Sequence, residues 1–231
     1  MTAAGFWRRY AAWSLDATPR SILSALLCWP WAAPAAQALA RDYVAMLDAA
    51  GRSFGRALAD GTPLSALAAQ WLADPALRAS IDAVSQALWA LLWPPLLAFA
   101  LLGAGWHALF EAAPRQATPG QRLFGLRVVD TTGARIGRDR ALLRHAAGAL
   151  SWLTLNVGHA LVLLRPDRRA LHDLLSGTAV VQDEPDPRAK LPPLARAWLG
   201  LQLLLLWAVI AVWFGITNDA LGRGLDAGFG L

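Results

Sequence analysis

Near the start of the chain, Arg9, Trp13, Asp16 and Arg20 are spaced i, i+4, i+7 and i+11, which places them on one stripe of a helix. The surrounding stretch is apolar, and a charge at the centre of a bilayer costs at least about 2.5–3.5 kcal/mol on insertion scales. The stripe must therefore face protein or water rather than lipid. Asp16 has Arg20 one turn away as a partner, and Arg9 lies two turns back towards the headgroups. A second polar cluster, Arg165, Asp167, Arg168, Arg169, His172 and Asp173, closes the uncharged run 145–164. Two roles are open for Asp16 and Asp173. Either they are ion or proton sites whose ionised form the arginines favour, or they belong to an ion-pair network that locks helix packing. The two roles are balanced for Asp16, and the structural one is favoured for Asp173, whose helix end falls at the interface.

Signatures of catalysis are missing from the chain. It has no H-E-x-x-H, no G-x-S-x-G, no Walker loop and no cysteine pair, its single cysteine being Cys28. His107, His145, His159 and His172 lack metal-ligand spacing and read as buried or interfacial. Neither an enzyme nor a cofactor or metal site is expected. The candidate site is the polar cluster Arg9, Asp16, Arg20, Arg168, Arg169, His172 and Asp173.

The elements that must hold these residues are set by composition. Of 231 residues 56% are apolar and 16% charged, against about 45–50% and about 25% in soluble domains. Uncharged runs cover 21–40, 83–110, 145–164 and 197–218, each long enough for the roughly 20 helical residues that cross a bilayer core. A soluble globular protein is excluded. The net charge of +5 sits beside apolar segments, where it orients the chain in an anionic bilayer and does not point to nucleic acid.

The fold class is an all-α membrane protein: a small bundle of three full spans with a re-entrant hairpin and a small sheet. A first span covers 6–36, uncleaved despite its resemblance to a signal peptide, and a pair of outer amphipathic helices covers 37–82. Thr62-Pro63 and Asp74-Pro75 read as helix starts. A second span follows at 83–110, with Pro94-Pro95 kinking it. A cytoplasmic β-hairpin over 122–136, with Ala134–Ile136 as its return strand, gains a third strand from 178–181. Residues 183–193 form a linker, 194–217 an additional membrane helix, and 218–231 a flexible tail.

If 122–136 and 178–181 share a sheet, the run 145–164 must start and finish on one side, as a hairpin turning around Asn156-Val157-Gly158. With the hairpin and a cytoplasmic N-terminus, 15 Lys and Arg lie inside and 5 outside; with a straight crossing the split is 10 to 10. The positive-inside bias favours the hairpin, although 20 uncharged residues are long enough to cross.

Three segments carry a family resemblance. Gly5-Phe6-Trp7-Arg8-Arg9-Tyr10-Ala11-Ala12-Trp13-Ser14-Leu15-Asp16, Thr118-Pro119-Gly120-Gln121-Arg122-Leu123-Phe124-Gly125-Leu126-Arg127-Val128-Val129 and Asp167-Arg168-Arg169-Ala170-Leu171-His172-Asp173-Leu174-Leu175-Ser176-Gly177-Thr178 resemble, in order, the opening, central loop and closing motif of the RDD family of bacterial membrane proteins. The arginine and two aspartates of that name carry over to Arg9, Asp16 and Asp173. Gln121 replaces a usual lysine, which weakens a phosphate-binding role for that loop, and Pro19-Arg20 follows Asp16 where the family continues apolar. The resemblance implies transport, with cation/proton antiport suggested for some members, in a multi-pass protein of the bacterial inner membrane. So few spans imply a homo-oligomer or a membrane partner around any pathway. The competing function is a non-transporting scaffold or accessory subunit whose arginine–aspartate network is structural.

Overall fold

A computed structural model describes residues 2–154, 156–182 and 190–230. In chain order the elements are β1 (Thr2–Ala3), α1 (Phe6–Ala59), α2 (Leu64–Ala73), α3 (Pro75–Phe110), α4 (Pro119–Leu123), β2 (Leu126–Asp130), α5 (Arg138–Leu153), α6 (Val157–Leu164), α7 (Leu171–Ser176), β3 (Thr178–Gln182) and α8 (Pro193–Phe229). Helices α1, α3 and α8 are long and apolar enough to cross a membrane. The chain divides into two compact units. Unit 1 comprises Met1–Ser24 and Leu97–Gln202, and unit 2 comprises Ala25–Leu96 and Leu203–Leu231.

Unit 1 is built on a three-stranded antiparallel sheet in the order β1-β3-β2. Val128 pairs with Val180 at the centre of β2 and β3, and Thr2 faces Gln182 on the other edge of β3. Phe124, Leu126, Val128 and Val180 pack under the sheet against Ala11 and Ala12 of α1 and Ala195 of α8. The pairing of 178–181 with the 122–136 region is present, but the third strand is Thr2–Ala3 and not Ala134–Ile136. After β2 the chain is held as a turn by the Asp130 carboxylate, which accepts the N–H groups of Thr132 and Ala134 at 2.8 and 2.9 Å. That closure takes the place of a return strand. Residues 119–123, at the start of the predicted hairpin, form α4.

Between the paired strands, α5 and α6 bend by 100° at Asn156, which takes the left-handed conformation (φ 65°) that Asn tolerates better than most residues. At 1.5 Å per residue α6 is about 12 Å long, too short to cross a bilayer core. Unit 1 also holds the first turns of α8, where the Trp198 indole and the Gln202 amide both donate to the Ser14 hydroxyl at 3.0 Å.

In unit 2, α1 continues past residue 36, where the charges of 37–82 predict separate helices, and runs unbroken to Ala59. Its charged positions from Arg41 onward leave i→i−4 backbone bonding intact, so charge marks where lipid ends and not where helix ends. Asp74 caps α3 by accepting the N–H groups of Ala76 and Leu77 at 2.8 and 3.3 Å. Most of the predicted tail at 218–231 is also helical, because α8 extends to Phe229. Its glycines do not loosen it; they meet the glycines of α1. Gly51 and Gly55 face Gly224 and Gly228, both pairs spaced by four. A Cβ at Gly55 would lie 2.6 Å from the Leu225 carbonyl, and one at Gly228 would lie 2.7 Å from the Arg52 carbonyl. Only bare backbone permits this approach, the small-xxx-small packing of membrane helices. Contacts advance together along both helices, from Asp48 with Gly224 to Arg52 with Gly228, so the two run parallel there. The Tyr43 and Thr217 hydroxyls meet at 2.9 Å beside the same seam. Of the predicted linker 183–193, residues 183–189 lie outside the described residues.

Candidate functional site: a buried ion network beside a cavity

All of the site lies in unit 1. Asp173, at the third position of α7, is fully buried. One carboxylate oxygen takes the Ala170 N–H at 2.8 Å, closing the first turn of its helix, and the Arg9 guanidinium at 2.5 Å. The other pairs with Arg144 of α5. Arg144 reaches on to Glu111, 3.4 Å from its Nε, and donates to the Thr178 hydroxyl at 3.2 Å. Glu111, at the foot of α3 and also fully buried, accepts from His107 Nδ1 at 3.0 Å and from the Gln121 amide at 2.9 Å. Burial alone would raise the Glu111 pKa, but the charges of His107 and Arg144 and the two hydrogen bonds outweigh it and hold the group at about 2. Arg9, Asp173, Arg144 and Glu111 thus form one chain of alternating charge, which His107 extends by a hydrogen bond, tying α1, α3, α5 and α7 together.

Asp16 is placed differently from its sequence expectation. Its carboxylate accepts the Thr118 hydroxyl at 2.5 Å and the Gly120 N–H at 2.8 Å, both at the start of α4. Thr118 and Gln121 close a reciprocal cap on that helix, so the donors are fixed before Asp16 meets them. A Cβ on Gly120 would strike the Ala12 carbonyl and the Asp16 carboxylate; the glycine is required by close approach. Arg20 makes no side-chain ion pair with Asp16 among the described residues. Its Nε donates to the Asp16 main-chain carbonyl at 3.0 Å, its Cζ lies 4.8 Å above the Phe99 ring, and its Nη2 is buried without an acceptor. The i,i+4 stripe brought the residues to one face, but long-range donors took the carboxylate.

The other predicted residues divide by role. Arg168 donates to the Ala3 carbonyl at 3.2 Å, and Arg169 to the carbonyls of Thr178 and Asp173 at 3.0 and 3.1 Å. Both clamp the backbone around the sheet and belong to its frame. His172 is buried, with Nε2 3.5 Å from Asp173; burial first, then the charges of Arg144 and Arg9, pushes its pKa well below 6.5.

Beside the network lies a cavity of about 660 Å³, within the range of small-molecule sites. Arg9, Asp16, Arg20 and Arg144 line it together with all four histidines, among aromatic and aliphatic side chains that include Trp13, Phe99 and Trp152. His107 stacks on His145 with ring centres 5.2 Å apart, and His159 lies 5.0 Å from His172. Sequence reasoning missed Glu111, Arg144 and three of the histidines as site residues. A signal was present: His107 and Glu111 are spaced i, i+4 where the longest uncharged run ends, and Arg144 starts the next.

Among the described residues, three apolar helices long enough to span define a multi-pass integral membrane protein in contact with the lipid bilayer, and one unit of it holds a buried charge network and a cavity. Residues 3–177 match the family model of the RDD family, and the chain belongs to that family. The uncharacterised protein YxaI of Bacillus subtilis (strain 168) is 27% identical over 88 residues, covering 38% of this chain and 58% of that protein. The match therefore spans less than two thirds of that relative. No solved structure matches the chain.

Proposed function

We propose that the protein is a small-solute carrier of the bacterial inner membrane, with the unit 1 cavity as its solute site and the Arg9–Asp173–Arg144–Glu111 network as the frame around it. The observation that carries this reading is the cavity wall, which holds charged and titratable groups inside a membrane unit. Such groups are expensive there and by default mark a solute or ion pathway. The β1, β2 and β3 end is cytoplasmic in this reading and 145–164 is re-entrant. The 15-to-5 basic count and the parallel course of α1 and α8, which both start close after strands of one sheet, support it. A second copy or a membrane partner completes the pathway on the exposed apolar faces.

A specific observation favours the second reading, a non-transporting scaffold: Asp16, Glu111 and Asp173 all spend their carboxylates on internal partners. Flux in proteoliposomes separates the two. Gly148 lines the cavity, and a Cβ there meets nothing within 4 Å, so Gly148→Leu narrows the cavity from a position with room for a side chain. Tested with a panel of alkali cations and organic anions, wild-type protein is expected to move at least one solute and Gly148→Leu to lose that flux. Equal flux through the two proteins removes the cavity as the solute site, and no flux through the wild type defeats the carrier reading. Asp16→Asn then separates coupling from framing: a folded variant with undiminished flux assigns Asp16 to the frame.

A further inference from the structure

Three residues of the cavity wall carry polar atoms left unmatched among the described residues. Arg20 Nη2, His159 Nδ1 and His172 Nδ1 are buried and have no hydrogen-bond partner there. Native interiors leave few such groups, and each calls for an explanation. Arg20 is the most demanding of them. It is 3% exposed, and its aromatic neighbour Phe99 covers one face of the guanidinium. Asp16, the nearest acid on its own helix, is held by Thr118 and Gly120. Asp173 and Glu111 are held by Arg9, Arg144, His107 and Gln121. Arg20 is thus a buried cation with no carboxylate within 4 Å among the described residues, in a wall whose arginines outnumber its one aspartate.

We propose that the cavity binds an amphipathic monoanion, a carboxylate head on an apolar body, with Arg20 receiving the head and Trp13, Phe99 and Trp152 packing the body. This deepens the solute-site reading and rests on it, but it reverses the sign of the solute from the cation that the family resemblance implies. The physical reason is the use already made of the acids. A cation entering the cavity finds the wall's one described carboxylate, Asp16, already engaged and three guanidiniums beside it. An anion supplies the charge-assisted partner that Arg20 lacks, and its apolar body matches a wall of aromatic rings. The ligand has two possible sources: a fatty acid from the bilayer, or an aromatic acid from the aqueous phase.

The test uses full-length protein in zwitterionic phosphatidylcholine nanodiscs, with empty nanodiscs subtracted. Radiolabelled decanoate stands for the bilayer source and 3-phenylpropionate for the aqueous one, each compared with its alcohol. Saturable binding of at least one acid is expected, with the matching alcohol weaker by about tenfold or more. Arg20→Gln should lose about tenfold for the acid while leaving the alcohol unchanged, and Arg20→Lys should recover part of the loss. Thermal denaturation of each variant keeps misfolding apart from lost recognition. Equal binding of acid and alcohol, acid binding unchanged in folded Arg20→Gln, or no saturable binding of either acid overturns the proposal. Flux that Gly148→Leu blocks, together with no acid binding, leaves the carrier and removes the anion. Acid binding that Arg20 controls, without flux, leaves the anion site and removes the carrier.

Discussion

The two units hold their helices together by opposite means. In unit 1 the closest contacts are ionic, and the helices are joined by Arg9, Asp173, Arg144 and Glu111. In unit 2 the closest contact is made where side chains are missing, at Gly51 and Gly55 of α1 against Gly224 and Gly228 of α8. Hydrophobic burial gives little reason for helices to associate in lipid, because lipid tails are as apolar as leucine. Each unit answers that problem differently. A charge network tolerates shape errors but not the loss of a member. A glycine seam has no charge to lose but tolerates no added atom.

That contrast can be broken by substitution. Asp173→Asn should have the largest effect, because it leaves Arg9 and Arg144 buried without their shared counterion, a loss of about 3–5 kcal/mol. The check is the yield and Tm of folded protein in mild detergent, and a Tm within a degree or two of wild type would show that the network is ornamental. Gly228→Leu should come next, at about 1–3 kcal/mol, from forced separation of α1 and α8. Hydrogen exchange should show its effect confined to unit 2, with the amides of β2 and β3 protected as before; loss of protection in both would mean that the units do not respond separately.

The smallest effect expected is one of pH. His172 is held neutral, so as pH falls below 6.5 the unfolded chain takes up a proton that the folded chain refuses, and stability declines. Glu111 stays ionised down to about 2 in the folded chain, so its stabilisation is lost mainly below pH 5. Tm should therefore fall across that interval, and His172→Gln should flatten the decline. An unchanged slope in the variant would assign the effect elsewhere.

Much of this was legible in the chain, and the failures share a cause. Uncharged runs located the apolar helices because lipid solvation acts residue by residue. The joining of 178–181 to the region after 122 followed from the β-branched residues there. What local pattern cannot express is competition at a distance. Asp16 and Arg20 share a face, yet Thr118 and Gly120, more than a hundred positions away, outbid the neighbour. The strand Thr2–Ala3 is too short to carry a pattern at all. The glycines after residue 221 read as looseness because a glycine's value in a seam depends on another glycine opposite it. Gly51 and Gly55 were visible in the same sequence at the same spacing.

The pairing of β1 with β3 sets a schedule for biosynthesis. Thr2 finds its partner at Gln182 and Ala3 finds its own at Val181, so about 180 residues must leave the ribosome before the sheet edge closes, which takes about 10–35 s at usual translation rates. By then α1 and α3 have been made, and Arg9 and Asp16 have waited for Asp173 and Thr118 with no counterpart. A chaperone or a membrane-insertion factor that shields two unpaired charges on a nascent first helix would act in that interval. Ribosomes stalled shortly before residue 173 would present the chain at its most vulnerable length.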